Sequence, residues 1–424
     1  MLLRARGVDV TVLDTGDAEC LRSKKESLAT QGIALLAGEE ALTESGEYDF
    51  VVLSPGIDPA VPLVRKFVDR NCPIVGELEL AYGWCECPII GITGTNGKTT
   101  TTQLVESMLT GCGVRTTAAG NIGPAFSARV KDSGDLDVMT LEISSFQLET
   151  IRDFHARIVV WLNFAADHLD RYTSMEEYYA AKVRIFENQA EEDWAVVNLR
   201  DQLPALKAKR ITFSAYEQGG DFELKDGAIL FRGETVLRMS DTKLRGAHNA
   251  ENLMAALGVG HAWGLSFAAM REPLCQYKAL PHRCETVRSV GGVEYVNDSK
   301  GTNLDSVEKA LLSETRPVVL IAGGKDKGFE YASLTDLVAE RCRSAVVMGE
   351  MADRIEALWS SRLPCRNAGW SLEKAVRLAH GEAKPGDVVL FSPGTSSFDM
   401  FKNYADRGNQ FRALVQALPD SPTL

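Results

Sequence analysis

Short apolar runs that alternate with longer helical stretches constrain the fold of this 424-residue chain most strongly. The runs are rich in valine and isoleucine and apolar at both odd and even positions, as in strands covered on both faces. The clearest are Val10–Leu13, Phe50–Leu53, Ile89–Ile92, Leu136–Leu141, Ile158–Leu162, Ala195–Val197, Val318–Ala322, Ala345–Met348 and Val388–Phe391. Helical periodicity lies between them, at 101–109, 175–189 and 252–263. This alternation predicts an α/β protein with parallel sheets.

The length predicts two or three domains, at about 150 residues per domain. The first boundary is expected near Tyr82–Cys87, before the strand at 89–92. The second is expected at Leu280-Pro-His-Arg283, because proline ends the preceding helix. We therefore expect domains at 1–83, 84–280 and 281–424. Within the middle domain, residues 221–243 alternate as β-strands do.

The beginning of the chain reads as a helix end followed by a strand that finishes at Asp14. In a nucleotide-binding unit, a first strand and a Gly-rich turn precede that helix. We therefore expect the first domain to lack its first strand. By the ~30-residue span of a βαβ unit, the chain is expected to start roughly 20 residues late. The segment Met1-Leu-Leu-Arg-Ala-Arg6 has no signal-peptide pattern.

Charge and cysteine content argue against several classes of protein. The chain has 46 Lys and Arg against 58 Asp and Glu, a net charge of −12, whereas nucleic-acid and anionic-membrane binders show a basic excess. No apolar run is long enough for a transmembrane helix. Nine cysteines without a Cys-x-x-Cys pair favour reduced thiols in a cytoplasmic protein, and Cys85-Glu-Cys87 lacks further zinc ligands.

The strongest chemical motif is Ile89-Ile-Gly-Ile-Thr-Gly-Thr-Asn-Gly-Lys-Thr-Thr-Thr-Thr102, in which a buried strand enters a Gly-rich loop that opens a helix. The backbone N–H groups of such a loop form a cradle for a triphosphate. We expect Lys98 to reach the β and γ phosphates and Thr99 to hold Mg²⁺. Gly91 lies one residue too far from Gly97 for the standard spacing. The ATP-binding residues expected here are Gly94, Thr95, Asn96, Gly97, Lys98, Thr99 and Thr100.

Two further strand ends carry candidate catalytic residues. P-loop ATPases take a second Mg²⁺ ligand from a neighbouring strand, and Glu142 ends the strand at 136–141. A solvated acid is the alternative interpretation. The strand at 158–162 is followed by Asp167, His168 and Asp170. Function usually lies at such strand ends, although a structural histidine is the alternative. By position alone, Lys182 is interpreted as a lysine on a helix surface.

Four ordered motifs resemble the Mur ligases. They are Gly91-Ile-Thr-Gly-Thr-Asn-Gly-Lys-Thr99, Leu141-Glu-Ile-Ser-Ser-Phe-Gln-Leu-Glu-Thr150, Asp167-His-Leu-Asp-Arg-Tyr172 and Gly246-Ala-His-Asn-Ala-Glu-Asn252. Three more resemble the members that add D-glutamate to UDP-N-acetylmuramoyl-L-alanine: Leu280-Pro-His-Arg283, Asn297-Asp-Ser-Lys-Gly-Thr-Asn303 and Ser392-Pro-Gly-Thr-Ser-Ser-Phe-Asp399. The resemblance runs from Asp14 to Phe411.

The resemblance implies three α/β domains: an N-terminal Rossmann-like domain for the UDP sugar, a central P-loop ATPase domain and a C-terminal Rossmann-like domain for the amino acid. It implies an ATP-dependent amide ligase of cytoplasmic peptidoglycan-precursor synthesis. In that reaction ATP phosphorylates the alanine carboxylate, and the amine of the amino acid attacks the acyl phosphate. The implied partners are small-molecule substrates and two Mg²⁺ ions. We expect a monomer with no nucleic-acid partner and no stable membrane association.

Motif matches assign the catalytic residues. Lys98, Glu142, His168 and Lys182 are implied to be catalytic, and the implied metal ligands are Thr99, Glu142, His168 and Lys182. For the second metal, Lys182 is implied to be a carbamate formed with CO₂, which supplies the oxygen ligands that Mg²⁺ prefers. Further ATP contacts are implied at Asn249, Asn252, Arg283 and Asp298.

The substrate contacts are assigned in the same way. Those implied for the amino acid are Lys300, Thr302, Lys327, Ser397 and Tyr404. Lysines and hydroxyls suit a ligand with two carboxylates. Those expected for the UDP sugar are Asp14, Thr15, Ser54, Gly56, Asn121 and Ser144.

Other functions remain as alternatives. A folylpolyglutamate-synthase type of ligase is disfavoured because about 85 residues precede the phosphate loop. A ligase that adds diaminopimelate or lysine is disfavoured because no Asp-Asn-Pro motif is found. A regulatory P-loop ATPase has no use for the implied amino-acid site. A catalytically silent, truncated paralogue is kept open by the missing first strand.

Overall fold

Parallel β-sheets flanked by helices make up the chain. The computed structural model describes residues 1–168, 171–278 and 280–419. Within these ranges the strands form one nine-stranded sheet, one six-stranded sheet and two two-stranded sheets. Antiparallel pairing is confined to one edge of each large sheet. The predicted α/β class with parallel sheets is therefore confirmed. No helix of the described ranges has the length and apolar character needed to cross a membrane.

The first 83 residues, all described, alternate short strands with helices. The elements are α1 (Leu2–Ala5), β1 (Thr11–Asp14), α2 (Arg22–Ala29), β2 (Ala34–Ala37), α3 (Glu39–Thr43), β3 (Val51–Leu53), α4 (Pro62–Val68), β4 (Ile74–Gly76) and α5 (Glu77–Tyr82). Strand β1 pairs with β2 and β3 with β4, both in parallel, but the two pairs form separate sheets. A Rossmann-like domain without its first strand stays a prediction.

The nine-stranded sheet follows. Its region contains β5 (Ile89–Thr93), α6 (Lys98–Gly111), β6 (Thr116–Gly120), α7 (Phe126–Arg129), β7 (Val138–Glu142), α8 (Ser145–Leu148), β8 (Ile158–Trp161), α9 (Met175–Val183), β9 (Trp194–Asn198), β10 (Lys209–Ser214), β11 (Phe222–Lys225), β12 (Ala228–Phe231), β13 (Glu234–Arg238), α10 (Ala247–Trp263) and α11 (Phe267–Gln276). The strand order is β13-β12-β11-β10-β9-β8-β5-β7-β6. The antiparallel strands β11 to β13 confirm the β alternation predicted at 221–243.

The six-stranded sheet completes the fold. Its region contains β14 (Glu285–Val290), β15 (Val293–Asn297), α12 (Leu304–Ser313), β16 (Val318–Ala322), α13 (Thr335–Arg341), β17 (Cys342–Met348), α14 (Ala352–Trp359), β18 (Cys365–Gly369), α15 (Leu372–Glu382), β19 (Val388–Phe391) and α16 (Tyr404–Gln416). The strand order is β14-β15-β19-β16-β17-β18. Short 3₁₀ helices lie at Val130–Asp135, Arg184–Phe186, Met239–Asp241 and Tyr331–Leu334.

Every apolar run named from the sequence coincides with a strand. One helix was predicted too long: α9 ends at Val183 and continues only as a 3₁₀ turn to Phe186, not to residue 189. The other two helices are longer than their periodic stretches, since α6 begins at Lys98 and α10 at Ala247. Helix ends depend on capping and tertiary contacts, which apolar periodicity does not record.

The centre of the nine-stranded sheet positions the loops of interest. In β5, Ile90 and Ile92 pack with Leu104 of α6, while Ile89 packs in a separate cluster on the other face. Both faces are therefore covered, and each fully buried side chain contributes about 1.5–3 kcal/mol. Because β8, β5 and β7 are adjacent and parallel, the loops after all three emerge at one edge.

Helix α10 lies very close to this sheet. A Cβ added at Gly258 would lie 2.7 Å from Cγ1 of Val196 in β9, whose side chain is fully buried. The close approach therefore depends on the missing side chain of Gly258.

Gly258→Ala should lower the free energy of unfolding by about 1 kcal/mol or more, because overpacking outweighs the gain in helix propensity. Chemical denaturation measures the change. The matched control is Gly381→Ala in α15, where an added Cβ meets no atom within 4 Å. That control should leave stability unchanged or raise it. A Gly258→Ala protein as stable as the control would contradict the close packing.

Candidate active site

The phosphate loop, Gly94–Gly97, joins β5 to the first turn of α6. At Gly97 φ is +84°, and a Cβ there would overlap the amide oxygen of Asn252. Only glycine fits this position, because it combines left-handed backbone with a close side-chain contact. The loop therefore presents the N-terminus of α6, with its free N–H groups and positive dipole end, to the adjacent cleft.

The ammonium of Lys98 lies over this loop. Its Nζ donates hydrogen bonds to the carbonyl oxygens of Gly94 at 3.0 Å and Thr95 at 2.8 Å. Burial lowers the pKa of Lys98, and the charges of Glu142 and Asp167 oppose that shift. Among the described residues the lysine thus has only neutral acceptors within hydrogen-bond distance, and it is placed to receive an anion.

Lys182 lies beneath the same loop. It is 1% exposed on α9, and its Nζ donates to the Gly94 carbonyl at 2.9 Å. Its pKa is well below the ordinary value of 10.5 because of burial and the neighbouring charge of Lys98. The interpretation of Lys182 as a surface lysine is therefore wrong. It failed because this face of α9 packs under the loop, which the helix sequence alone does not reveal.

Glu142 ends β7 beside the loop and is 2% exposed. Its Oε1 accepts a hydrogen bond from Asn121 Nδ2 at 2.9 Å. Its Oε2 is buried without a hydrogen-bond partner among the described residues. A buried carboxylate with a bare oxygen fits a hard cation, and Thr99 lines the same cleft. Of the four implied metal ligands, Glu142 and Thr99 therefore fit a magnesium ion directly, whereas His168 and Lys182 do not.

Asp167 and His168 face the cleft after β8. Asp167 Oδ1 accepts from Lys327 Nζ at 2.9 Å, and its Oδ2 accepts from Asn303 Nδ2 at 3.2 Å. Burial would raise the pKa of Asp167, but the charges of His168 and Lys327 outweigh burial and hold it at about 2. His168 has left-handed backbone, with φ of +56°. Burial lowers the pKa of His168, which favours the neutral imidazole. Asp170 lies outside the described residues.

The four further ATP contacts implied by the resemblance are not equivalent in the structure. Asn252, Arg283 and Asp298 line the cleft with the phosphate loop, and burial raises the pKa of Asp298 to about 6. Asn249 is not among the lining residues. Its Oδ1 accepts from Asn252 Nδ2 at 3.2 Å, so it supports Asn252 from behind.

Only two of the five residues expected to bind the amino acid line the main cleft. Lys300 and Thr302 line the cleft, and Lys300 Nζ lies 4.0 Å from the centre of the Tyr404 ring. Burial, with the charge of Arg283, lowers the pKa of Lys300 to about 8. Lys327 reaches the site through Asp167. Ser397 is 2% exposed in the loop after β19 and does not line the cleft.

The six residues expected for the UDP sugar are not brought together. Asn121 lies in the main cleft, while Ser54 and Gly56 line a separate small cavity. Ser144 caps α8 by accepting from the N–H of Gln147, which also lines that cavity. Asp14 ends β1 and Thr15 follows it, and neither residue lines a pocket. Asp14 instead accepts a hydrogen bond from the N–H of Gly16 at 2.8 Å.

Several cleft residues were missed by the sequence reasoning. Asn163 lies two residues after the end of β8, and Asn303 ends the motif that contains Lys300, so their positions were available signals. His248 and Glu251 lie within the motif at 246–252, whereas Cys284, Ser306 and Lys309 carried no signal in the sequence. Across the described ranges, no group of three or more His, Cys, Asp or Glu side chains is arranged to hold a metal ion.

Comparison with known proteins identifies relatives of this chain. The family described as "Mur ligase middle domain" matches residues 92–260, and "Mur ligase, glutamate ligase domain" matches residues 282–394. A UDP-N-acetylmuramoylalanine–D-glutamate ligase of Geotalea daltonii is 42% identical over 98% of this chain and 94% of its own length. A protein of the same name from Acidobacterium capsulatum is 41% identical, over 98% and 93%.

Solved structures share the fold at lower identity. A UDP-N-acetylmuramate–alanine ligase from Thermotoga maritima has a TM-score of 0.64 at 18% identity, over 98% of this chain and 95% of that chain. A MurF ligase from the same organism, in complex with ADP, has a TM-score of 0.59 at 17% identity, over 89% and 99%. At these identities the likeness concerns the fold alone.

Lys182→Met should stabilise the protein at pH 7 by about 1–3 kcal/mol, because a buried amine gives way to an apolar side chain. The pKa of Lys182 in the folded state lies below 10.5, so the unfolded chain binds the extra proton between these values. The advantage of the variant should therefore shrink as the pH rises towards 10.5. Thermal unfolding in bicarbonate-free buffer measures both effects.

The matched control for this prediction is Lys207→Met at an exposed lysine, which should show neither effect. A Lys182→Met protein less stable than the parent at pH 7 would contradict the assignment of an uncompensated buried amine.

Proposed function

The chain belongs to the Mur ligase family, and from that premise we propose that it joins D-glutamate to UDP-N-acetylmuramoyl-L-alanine at the cost of one ATP. Relatives that carry this activity in their names are similar over nearly the whole chain. The reaction belongs to the synthesis of peptidoglycan precursors, and we propose a cytoplasmic monomer. We propose that the domain at 1–83 binds the UDP sugar, the domain at 84–280 binds ATP and the domain at 281–424 binds the amino acid.

One observation carries the proposal. A single cleft is lined both by the phosphate loop with Glu142 and by Lys300 and Thr302 of the other large sheet. A nucleotide and a carboxylate ligand can therefore meet in one cleft. Exclusion of water from that space would protect a reactive acyl phosphate from hydrolysis.

The phosphate loop is proposed to bind the triphosphate of ATP. Lys98 would exchange its two carbonyl acceptors for phosphate oxygens, because a charged acceptor forms the stronger hydrogen bond. Its positive charge then neutralises the charge that develops on the transferred phosphoryl group. We propose that Asn252, Arg283 and Asp298 contact the nucleotide across the cleft and that Asn249 supports Asn252.

Thr99 and Glu142 would hold one Mg²⁺, which supplies charge neutralisation at the phosphates when it is bound. We propose that His168 and Lys182 serve a second ion, with Lys182 as a carbamate. An amine must be uncharged to attack CO₂, and the lowered pKa of Lys182 favours that state. The neutral imidazole favoured at His168 is likewise the form that binds a metal.

The chemistry follows from the poor reactivity of a carboxylate. Transfer of the γ-phosphoryl group to the alanine carboxylate creates a good leaving group, and ADP departs. The amine of D-glutamate then attacks the carbonyl carbon, phosphate leaves and an amide forms. The chain's role is to orient these groups and to neutralise charge.

We propose that Lys300, Thr302, Lys327, Ser397 and the backbone at Tyr404 hold the amino acid. With its pKa near 8, Lys300 is mainly protonated at pH 7 and can pair with a carboxylate. Lys327 already pairs with the carboxylate of Asp167, and it could pair with a carboxylate of the amino acid in the same way. For the UDP sugar, the proposed contacts are Asp14, Thr15, Ser54, Gly56, Asn121 and Ser144.

Phosphate release from ATP tests the proposal when each substrate is omitted in turn. Release should require both UDP-N-acetylmuramoyl-L-alanine and D-glutamate, because only the amine completes the reaction. L-glutamate should be a poor replacement. Mass spectrometry should detect the amide product in proportion to phosphate. Release that needs no amino acid, or that yields no amide, would contradict the proposed function.

The negative control for this assay is Lys98→Ala, which should lower turnover by more than about a hundredfold, since a charge-stabilising donor contributes 10²–10³ in rate. Lys207→Ala at an exposed position should retain the parent rate. Activity of Lys98→Ala within tenfold of the parent would refute the role given to the phosphate loop.

A further inference from the structure

The side chain of Asn96, on the phosphate loop, crosses the cleft to the first turn of α12. Its Nδ2 donates to Asp305 Oδ2 at 2.5 Å. Its Oδ1 accepts from Ser306 Oγ at 3.1 Å and from Asn303 Nδ2 at 3.2 Å. One helix end of the six-stranded region therefore occupies both polar atoms of this carboxamide.

The backbone of Asn96 is held from the opposite side. Its N–H donates to Asn163 Oδ1 at 2.9 Å, and its carbonyl accepts from Asn163 Nδ2 at 3.1 Å. Asn163 belongs to the nine-stranded region and lies two residues after the end of β8. The main chain of Asn96 is thus fixed to one large sheet and its side chain to the other, so a shift of the loop is transmitted to α12.

The acceptor on α12 is fixed independently of Asn96. Asp305 Oδ2 also pairs with Lys309 Nζ at 2.7 Å, one helical turn later. Asn303 caps the helix by accepting from the N–H of Ser306 at 3.0 Å. Because these contacts lie within α12, the first turn is preorganised to receive the Asn96 carboxamide.

The same helix end follows directly on the loop proposed to bind the amino acid. Lys300 and Thr302 precede the cap residue Asn303 within the chain. Any displacement of the first turn of α12 must therefore move their backbone. Asn303 Nδ2 also donates to Asp167 Oδ2 at 3.2 Å, which adds a second link across the cleft.

We propose that Asn96 and Asp305 are positioning residues that couple nucleotide binding at the phosphate loop to the order of the amino-acid loop. The identity of the two ligands rests on the proposed function. By thermodynamic linkage the coupling is reciprocal, so each ligand tightens the binding of the other. The loop that carries Asn96 holds the phosphates, whereas the side chain of Asn96 transmits a shift of that loop to α12.

Hydrogen–deuterium exchange of peptides covering 303–313 tests the coupling, with and without a non-hydrolysable ATP analogue. The analogue should slow exchange in the parent by about fivefold or more, the lower end of typical coupling. Asp305→Ala should lose most of this effect, and Asp305→Asn, which keeps an acceptor oxygen, should recover part of it. The matched control Glu308→Ala removes an exposed acid from the same helix and should respond as the parent does.

A double variant, Asp305→Ala/Ser306→Ala, removes two of the three partners and should abolish the response. In steady-state kinetics, Asp305→Ala should raise the KM for D-glutamate several-fold with a smaller change in kcat, which Asp305→Asn should partly rescue.

Equal slowing of exchange in the parent and the double variant would overturn the inference, as would no slowing in the parent. The exchange readout needs only nucleotide. Slowed exchange without amide product would therefore refute the proposed function and leave the coupling intact, whereas amide product without any effect of nucleotide on exchange would refute the coupling alone.

Discussion

The carbonyl oxygen of Gly94 accepts hydrogen bonds from two buried lysines, Lys98 at 3.0 Å and Lys182 at 2.9 Å. A positive charge on either lysine disfavours protonation of the other, and burial adds to the cost of that charge. The carboxylates of Glu142 and Asp167 compensate this charge only from a distance. The site is therefore electrostatically incomplete and favours the arrival of a strongly anionic ligand such as a triphosphate.

The two large sheets bring the charged side chains of the site together around one cleft. Adjacent parallel strands bring the ends of β5, β7 and β8 to one edge, where loops deliver the lysines and carboxylates. Loops of the six-stranded sheet close the other side of the cleft and bring Lys300 and Lys327. Cations on both walls suit a reaction in which every reactant carries phosphate or carboxylate. Hydrogen bonds of Asn96 and Asp167 with the N-terminal end of α12 connect the two walls of the cleft.

The sequence predicted what depends on local pattern. Strand positions, the phosphate loop and Glu142 at a strand end follow from periodicity and from chemistry confined to a few neighbouring residues. The burial of Lys182 could not be predicted, because it depends on α9 packing beneath Gly94, which lies 88 residues earlier in the chain. The sequence motif implied a role for Asn249, yet it stands behind Asn252, since helical spacing alone does not decide which of two residues faces a cleft. The separation of β1–β2 from β3–β4 is likewise a matter of tertiary packing.

The central claim is that the substrate carboxylate is phosphorylated at this loop before the amine attacks. The most direct measurement uses UDP-N-acetylmuramoyl-L-alanine with both carboxylate oxygens replaced by ¹⁸O. An acyl phosphate passes one labelled oxygen to phosphate when the amide forms, so the account predicts one ¹⁸O atom in each phosphate released with product. Released phosphate that contains no ¹⁸O would contradict the account.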